Sequence, residues 1–338
     1  MSSSSDASSI AALNNASMQL NRYFGIFILL FGIFGNTMNV CVLSQRALRC
    51  NPCAWLFLAS SIANGIGLAA GLTSRPLSTW SADLTNVNQF LCKLRAGLLF
   101  SGISVGSWLV MLATADRWLA SSTDGNLRKK STLKNAQTSA IIVSICVTLA
   151  EAQNLYCFEA NLTNTPLKCY TKTVWCSILN DLSLSLITIL CPLMLMIIFS
   201  TMTILNIRKS RSRLHPAQNT ADNSIGQSTM IGNNTTVAEQ KKTDRRLSIM
   251  LLVQIFLICL FTLPLAALKL YTTMTRSLAK SALRITIENF AFNVVLLVFY
   301  LYCGMPFYIY VLSGGRLFRK AIYSFVNSLR QKIMCQRV

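Results

Sequence analysis

The chain has 338 residues, of which 53% are hydrophobic and only 12% charged, about half the roughly 25% charge of a soluble domain. With a mean hydropathy of +0.48, that composition argues against two ordinary soluble domains. The net charge of +20 would indicate a nucleic-acid partner only if the basic residues formed one face of a folded soluble domain. They sit instead between apolar runs, so no nucleic-acid partner is expected.

The opening MSSSSDASSIAALNNAS is polar and lacks the basic and apolar regions of a signal peptide. Residues 1–22 therefore read as a flexible tail. A helix needs about 20 apolar residues to cross a roughly 30 Å hydrocarbon core. Six uncharged runs reach that length: 23–45, 50–74, 96–115, 182–207, 247–268 and 289–315. A seventh, 135–158, is interrupted only by Glu151. The expected fold is an all-α membrane protein, a seven-transmembrane helix bundle over residues 23–315. A short amphipathic cytoplasmic helix and tail should follow over 316–338. The polar stretch 210–240, rich in Ser, Asn, Thr and Gln, reads as a disordered linker, and there is no internal repeat.

Short cytoplasmic loops collect Lys and Arg. With the N-terminus outside, the inner segments hold Arg46 and Arg49, then five basic residues between 117 and 134. Eight more lie between 206 and 247 and six from Arg316 onward, so 21 of the 31 face the same side. The basic excess is thus a topology signal. It predicts a multi-pass plasma-membrane protein with an extracellular N-terminus and a cytoplasmic C-terminus, and it favours contact with anionic membrane lipid. The glycosylation sequons at Asn15 and Asn161 fall outside in this topology, while a third at Asn234 falls inside.

The third run ends in TADRWLAS, where Asp116 and Arg117 stand side by side. Ionisable groups are costly at mid-membrane but can reach the interface at the end of a span. A guanidinium there can exchange a neighbouring carboxylate for acceptors on an incoming partner. The same triplet, with Trp118, also suits a simple interfacial anchor. Other features recur along the chain. Gly35-Asn36 lies in the first span and LASSIANG in the second; Cys92 precedes Arg117 by twenty-five residues. Pro192 lies in the fifth span, FTLP with Pro264 in the sixth, MPFYIY with Tyr310 in the seventh, and LSGGRLFRKAI follows.

In this order these features resemble those of the rhodopsin-like G-protein-coupled receptors, over roughly residues 23–327. The seventh span is closest to invertebrate neuropeptide receptors of the FMRFamide type. The chain departs from the pattern in its fourth span, which lacks the usual Trp and Pro. It also has Asn64 where the family has Asp, and Gly106 where a Ser helps to bind sodium, so no strong sodium site is expected. The resemblance implies a receptor without cofactor that binds an extracellular ligand and activates a heterotrimeric G protein. It assigns Asp116, Arg117, Trp118 and Tyr310 to the coupling switch, and makes Pro192 and Pro264 helix kinks. Arg208, Lys209, Lys242, Arg245 and Arg246 would flank the G-protein cleft. It also implies a disulfide from Cys92, with Cys169 preferred over Cys157 as partner; Cys157–Cys176 is a possible second bridge. The tail residue Cys335 is a candidate for palmitoylation.

Ligand choice follows by comparison with the same family. Amine receptors carry an Asp on the third span where this chain has Leu99, and light-sensing receptors need a Lys in the seventh span, which has none over 289–315. A peptide is the favoured ligand, with a small organic molecule or odorant second. Candidate contacts are Arg95, Leu99, Glu151, Asp181, Lys269 and Glu288. No enzyme chemistry or metal site is expected, because the only histidine, His215, lies in the polar loop and no Ser/Cys–His or metal-ligand spacing occurs. A transporter or channel is the rival class, but the spans are too apolar for a polar midplane pathway and lack repeats.

Overall fold

Seven helices are long and apolar enough to cross a membrane: Ser5–Leu43, Pro52–Thr79, Gln89–Ser121, Leu133–Cys157, Val174–Lys209, Leu251–Met274 and Ala282–Gly304. They are called the first to seventh spans below. The computed structural model describes residues 2–163, 167–218, 231–313, 318–319, 321–325 and 327; side chains at 2–4, 46–47, 210–248, 250 and 313 lie outside that description. Apart from the spans, the described elements are short helices and one antiparallel pair of two-residue strands, Phe158–Glu159 with Tyr170–Thr171. The architecture is that of an all-α, multi-pass membrane protein.

Helix starts are set by short polar side chains that accept the first free N–H groups. Asn51 caps the second span with Pro52 at its first position, Asn88 the third, Thr132 the fourth, Thr173 the fifth and Ser281 the seventh. Apolar faces then decide which side turns outward. The fourth span exposes Ile141, Ile142, Ile145 and Leu149, as a helix facing lipid on one side should.

Several of the spans run past the charges at which the uncharged runs stop, while the seventh ends at Gly304, short of its run. Counting uncharged residues stops the fifth run at Asp181 and the sixth at Lys269, yet both helices continue past these points. Lys269 Nζ lies 2.8 Å from Asp181 Oδ1, and both side chains are buried, so each charge makes the other tolerable within the bundle. Likewise the second span continues beyond Arg75 to Thr79. The N-terminal segment also differs from expectation. Ser2–Gln19 is helical rather than an irregular tail, and Asn293 Nδ2 donates to Ser17 Oγ at 2.8 Å.

Small residues let the spans approach closely. The second and third spans meet where a Cβ on Gly102 would press into Ala63 and Gly67. The first and seventh meet at Gly32 and Gly304. The seventh helix then breaks at Met305, ahead of Pro306, and resumes as Pro306–Ser313. Proline withholds an N–H from the turn before it. Asn36 Nδ2 donates across the interface to Cys303 O at 3.1 Å and within its own helix to Gly32 O at 2.9 Å. The second amide, Asn64, instead bonds within its own helix to Ser60 Oγ at 3.3 Å. Ser60 makes the crossing bond, to Gly106 O at 3.0 Å.

Of the cysteines within the apolar runs, Cys303 is buried and Cys41 and Cys259 are partly so, while Cys146 and Cys191 are exposed. Of the linker 210–240 expected to be disordered, 219–230 lies outside the described residues, while 210–218 and 231–240 are helical continuations of the fifth and sixth spans. The side chains of Lys242, Arg245, Arg246, His215 and Asn234, and Cys335, also lie outside the described residues. Of the expected helix at 316–338, the described parts are 318–319, 321–325 and 327, all helical.

Candidate functional site

Two regions at opposite ends of the bundle collect the residues of interest. At one end, Arg117 Nη2 lies 2.7 Å from Asp116 Oδ2, with side-chain exposures of 4% and 7%. The second carboxylate oxygen of Asp116 accepts a 2.6 Å bond from Ser131 Oγ, in the loop after the third span. A neighbouring pair on one helix turn is therefore closed by a hydroxyl from the next element. Trp118 packs against Phe199 of the fifth span, ring centres 5.4 Å apart.

Beside Arg117 lies a cavity of about 260 Å³ between the third, fifth and sixth spans, lined also by Thr114, Thr203, Arg208 and Leu251. Tyr310 is fully buried nearby in sequence terms from Pro306, and its hydroxyl donates to Gln254 Oε1 of the sixth span at 2.9 Å. Its ring touches Phe57 and Phe318. Tyr310 thus joins the sixth and seventh spans rather than contacting the ion pair directly.

The prolines act in different settings. Pro264 lies inside the continuous helix Ile231–Met274. Pro192 follows a widened, π-helical stretch, Ser183–Leu190, in the fifth span. There Trp108 Nε1 of the third span donates to Ile187 O at 2.9 Å, satisfying a carbonyl in the irregular turn.

At the other end, Cys92 is bridged to Cys169 and Cys157 to Cys176. The first ties the top of the third span to the strand pair, the second ties that pair to the fifth span. Below this cap, a narrow cavity of about 80 Å³ is lined by Arg75, Arg95, Leu99, Lys269, Phe292 and Tyr300, among others. A wider cavity of about 420 Å³ adjoins it and shares Arg75, Leu167, Tyr170 and Phe292.

The six expected ligand contacts separate into four groups. Arg95, Leu99 and Lys269 line the narrow cavity. Asp181 does not line it and is held by Lys269 and Thr273. Glu288 lies at the rim, where it pairs with Lys280 at 2.6 Å and Arg284 at 3.2 Å. Glu151 is fully buried away from either cavity. Its Oε1 accepts from Ser104 at 3.0 Å and Ser183 at 2.9 Å, and its Oε2 from Asn154 at 2.9 Å. Thr188 shares the cluster, bonded to Ser104. Glu151 thus joins the third, fourth and fifth spans.

Sequence reasoning missed Arg75, Tyr300 and Asn293. Arg75 carried a signal, since it ends an uncharged run just as Arg117 follows one, but with no acid beside it the resemblance offered no role. Ser131 and Gln254 had none that spacing could supply. Asn64 faces the bare Gly106, where a Cβ would collide with the Asn64 amide. No group of three or more His, Cys, Asp or Glu able to hold a metal ion occurs among the described residues. Asn15 and Asn161 are both exposed, and Asn161 sits at φ 60° with Nδ2 donating to Val87 O at 3.1 Å. The chain matches no protein-family model and no curated protein sequence at a significant level.

Proposed function

We propose that this chain is a rhodopsin-like receptor that binds an extracellular ligand at its disulfide-capped end and activates a heterotrimeric G protein at the Arg117 end. The observation that carries the reading is the closed arrangement of Asp116, Arg117 and Ser131 beside the cavity between the third, fifth and sixth spans. A buried ion pair next to an opening is suited to exchange: a partner that enters the cavity offers Arg117 new acceptors, and the pair opens only if those contacts exceed what it loses. A ligand at the far end biases the balance by binding one helix arrangement better than the other. Pro264, inside the continuous sixth helix, and the π-helical stretch before Pro192 are the places where the sixth and fifth spans bend most easily.

The orientation, with the N-terminus outside and the C-terminus in the cytoplasm at the plasma membrane, rests on the distribution of Lys and Arg. The redox chemistry agrees, since both disulfides lie at the end this orientation places in the oxidising compartment. The favoured ligand is a peptide and the second choice a small organic molecule; no enzyme activity is proposed. The wider cavity, about 420 Å³, lies within the range of roughly 300–1,000 Å³ of small-ligand sites.

The test is nucleotide exchange on purified G proteins by the full chain in nanodiscs, screened against peptide and small-molecule libraries. A ligand that accelerates exchange supports the reading. Ligands that bind the chain yet leave exchange on every G-protein class unchanged contradict it.

A further inference from the structure

The cavity beneath the disulfide cap has an unbalanced charge. Three cations line it: Arg75, Arg95 and Lys269. Lys269 is matched by Asp181. Among the described residues the two arginines hydrogen-bond only to neutral acceptors, although Thr85, the acceptor for Arg95, itself donates to Asp83 Oδ1 at 2.7 Å. Arg75 Nη1 donates to Asn293 Oδ1 at 2.6 Å and Asn21 Oδ1 at 3.2 Å. Arg95 Nη1 reaches Thr85 Oγ1 at 3.3 Å, and its Nε is buried with no hydrogen-bond partner. Among the described residues, no Asp or Glu lines either the narrow cavity or the wider one beside it.

Elsewhere in this bundle two interior charges have a counter-charge in contact, Asp116 with Arg117 and Lys269 with Asp181, while Glu151 is held by two hydroxyls and an amide. An uncompensated guanidinium within a span is costly, because neither water nor a counter-ion repays its lost hydration. Two of them turned into one cavity make a place where an anion gains twice. The free Nε of Arg95 points to the geometry, since guanidinium groups bind a carboxylate through paired N–H donors. The surroundings are aromatic: Phe100, Phe158, Tyr170, Phe292, Phe299 and Tyr300. Phe292 already lies under two cations, 4.4 Å from Lys269 Nζ and 5.9 Å from Arg75, a weak substitute for a negative charge.

We infer that the ligand is an acid whose carboxylate enters the narrow cavity and is held by Arg75 and Arg95, while its body occupies the wider one. This rests on the receptor reading and narrows its ligand class. The volumes assign the parts: about 80 Å³ accommodates a carboxylate and the group carrying it, and about 420 Å³ accommodates the remainder. Two sources share this chemistry, a peptide with a free C-terminal carboxylate and a small aromatic carboxylic acid.

The experiment measures binding without a G protein, through ligand-induced thermal stabilisation and affinity of the full chain in nanodiscs. Four probe sets are used: a tetrapeptide pool with free C-terminal carboxylates, the same pool amidated, a set of arylalkanoic acids, and their primary amides. Acids from one of the two sources stabilise the protein, and their neutral counterparts bind at least about tenfold more weakly, as expected when a charged hydrogen-bonded partner is lost. Arg75→Gln and Arg95→Gln each lower acid affinity by a similar factor, with Arg75→Lys and Arg95→Lys falling between, and none changes the weak binding of the amides. The lysine variants and the amide signal separate lost recognition from lost folding. Amides that bind as well as acids, glutamine variants that bind acids like the parent, or no acid in either set that stabilises the chain would overturn the inference. Acids that bind without promoting nucleotide exchange leave it standing and count against the receptor proposal instead.

Discussion

At the scale of single residues, Ser131 and Gly106 test how closely the switch region is fitted. Ser131 gives Asp116 its second hydrogen bond at 2.6 Å. A bond to a charged group contributes about 1.5–3 kcal/mol, less where the site is partly wet. Ser131→Ala should therefore loosen Asp116 by about 1 kcal/mol and raise ligand-independent signalling several-fold, measured as G-protein activation at matched surface expression. Gly106 has no room for a methyl against the Asn64 amide. Gly106→Ala should lower stability by about 1–3 kcal/mol, the usual cost of overpacking, seen as a fall in the thermal midpoint of the purified chain. Residues of this kind were unevenly legible beforehand. The Asp116–Arg117 pair showed itself because two charges end a long uncharged run. Ser131 did not, because a loop serine acquires its meaning only when the loop folds back onto the third span.

At the scale of elements, buried polar contacts fix how the helices meet. Glu151 binds the third, fourth and fifth spans through Ser104, Asn154 and Ser183. Glu151→Leu leaves Ser183 without its acceptor in a dry interface, while Ser104 keeps Thr188 and Asn154 keeps the carbonyl of residue 151, and should cost about 1–3 kcal/mol. Glu151→Gln keeps one acceptor oxygen and should cost less; equal melting points for the two variants would show that the cluster does not hold the helices together. The Cys92–Cys169 bridge spans a sequence separation of 77. Removing it with Cys169→Ser should cost about 2–4 kcal/mol and loosen the strand pair over the cavity, read as faster hydrogen exchange at Tyr170 and Thr171. Element ends were where sequence reading fell short. A count of uncharged residues could not see past Asp181 or Lys269, since their mutual neutralisation depends on two spans 88 positions apart meeting in space. The break at Pro306 was not read from the sequence, which ran one span over 289–315, and neither was the bond of Asn36 to Cys303 O.

At the scale of the whole molecule, the seven-helix bundle was legible because the bilayer imposes a length and a composition that survive any detail of packing. The ends of the molecule were legible only as charge. Which end faces outward follows from the Lys and Arg distribution, and Asn161 provides a check: in this orientation it is exposed to the glycosylation machinery. Expressed in cells, the chain should shift in mass on deglycosylation, and Asn15→Gln with Asn161→Gln should abolish the shift. The cationic cavity was half legible, since Arg95 and Lys269 drew attention as charges near helix ends. Arg75 joined them only once the second span was seen to continue past it. The bundle has an ion pair at its Arg117 end and, at the other, Arg75 and Arg95 with no carboxylate in hydrogen-bond contact among the described residues, an asymmetry that supports the proposal of ligand binding at one end and G-protein coupling at the other.

The central claim is that Asp116 holds Arg117 in a closed state that G-protein coupling opens. Its most direct measurement is G-protein activation without ligand, normalised to surface expression, for Asp116→Asn and Arg117→Ala. Asp116→Asn keeps the shape but removes the charge that binds the guanidinium, so basal activation should rise. Arg117→Ala should abolish activation while ligand binding at the far end survives. Both variants reaching the surface and signalling like the parent would contradict the account, and would leave the triplet an interfacial anchor.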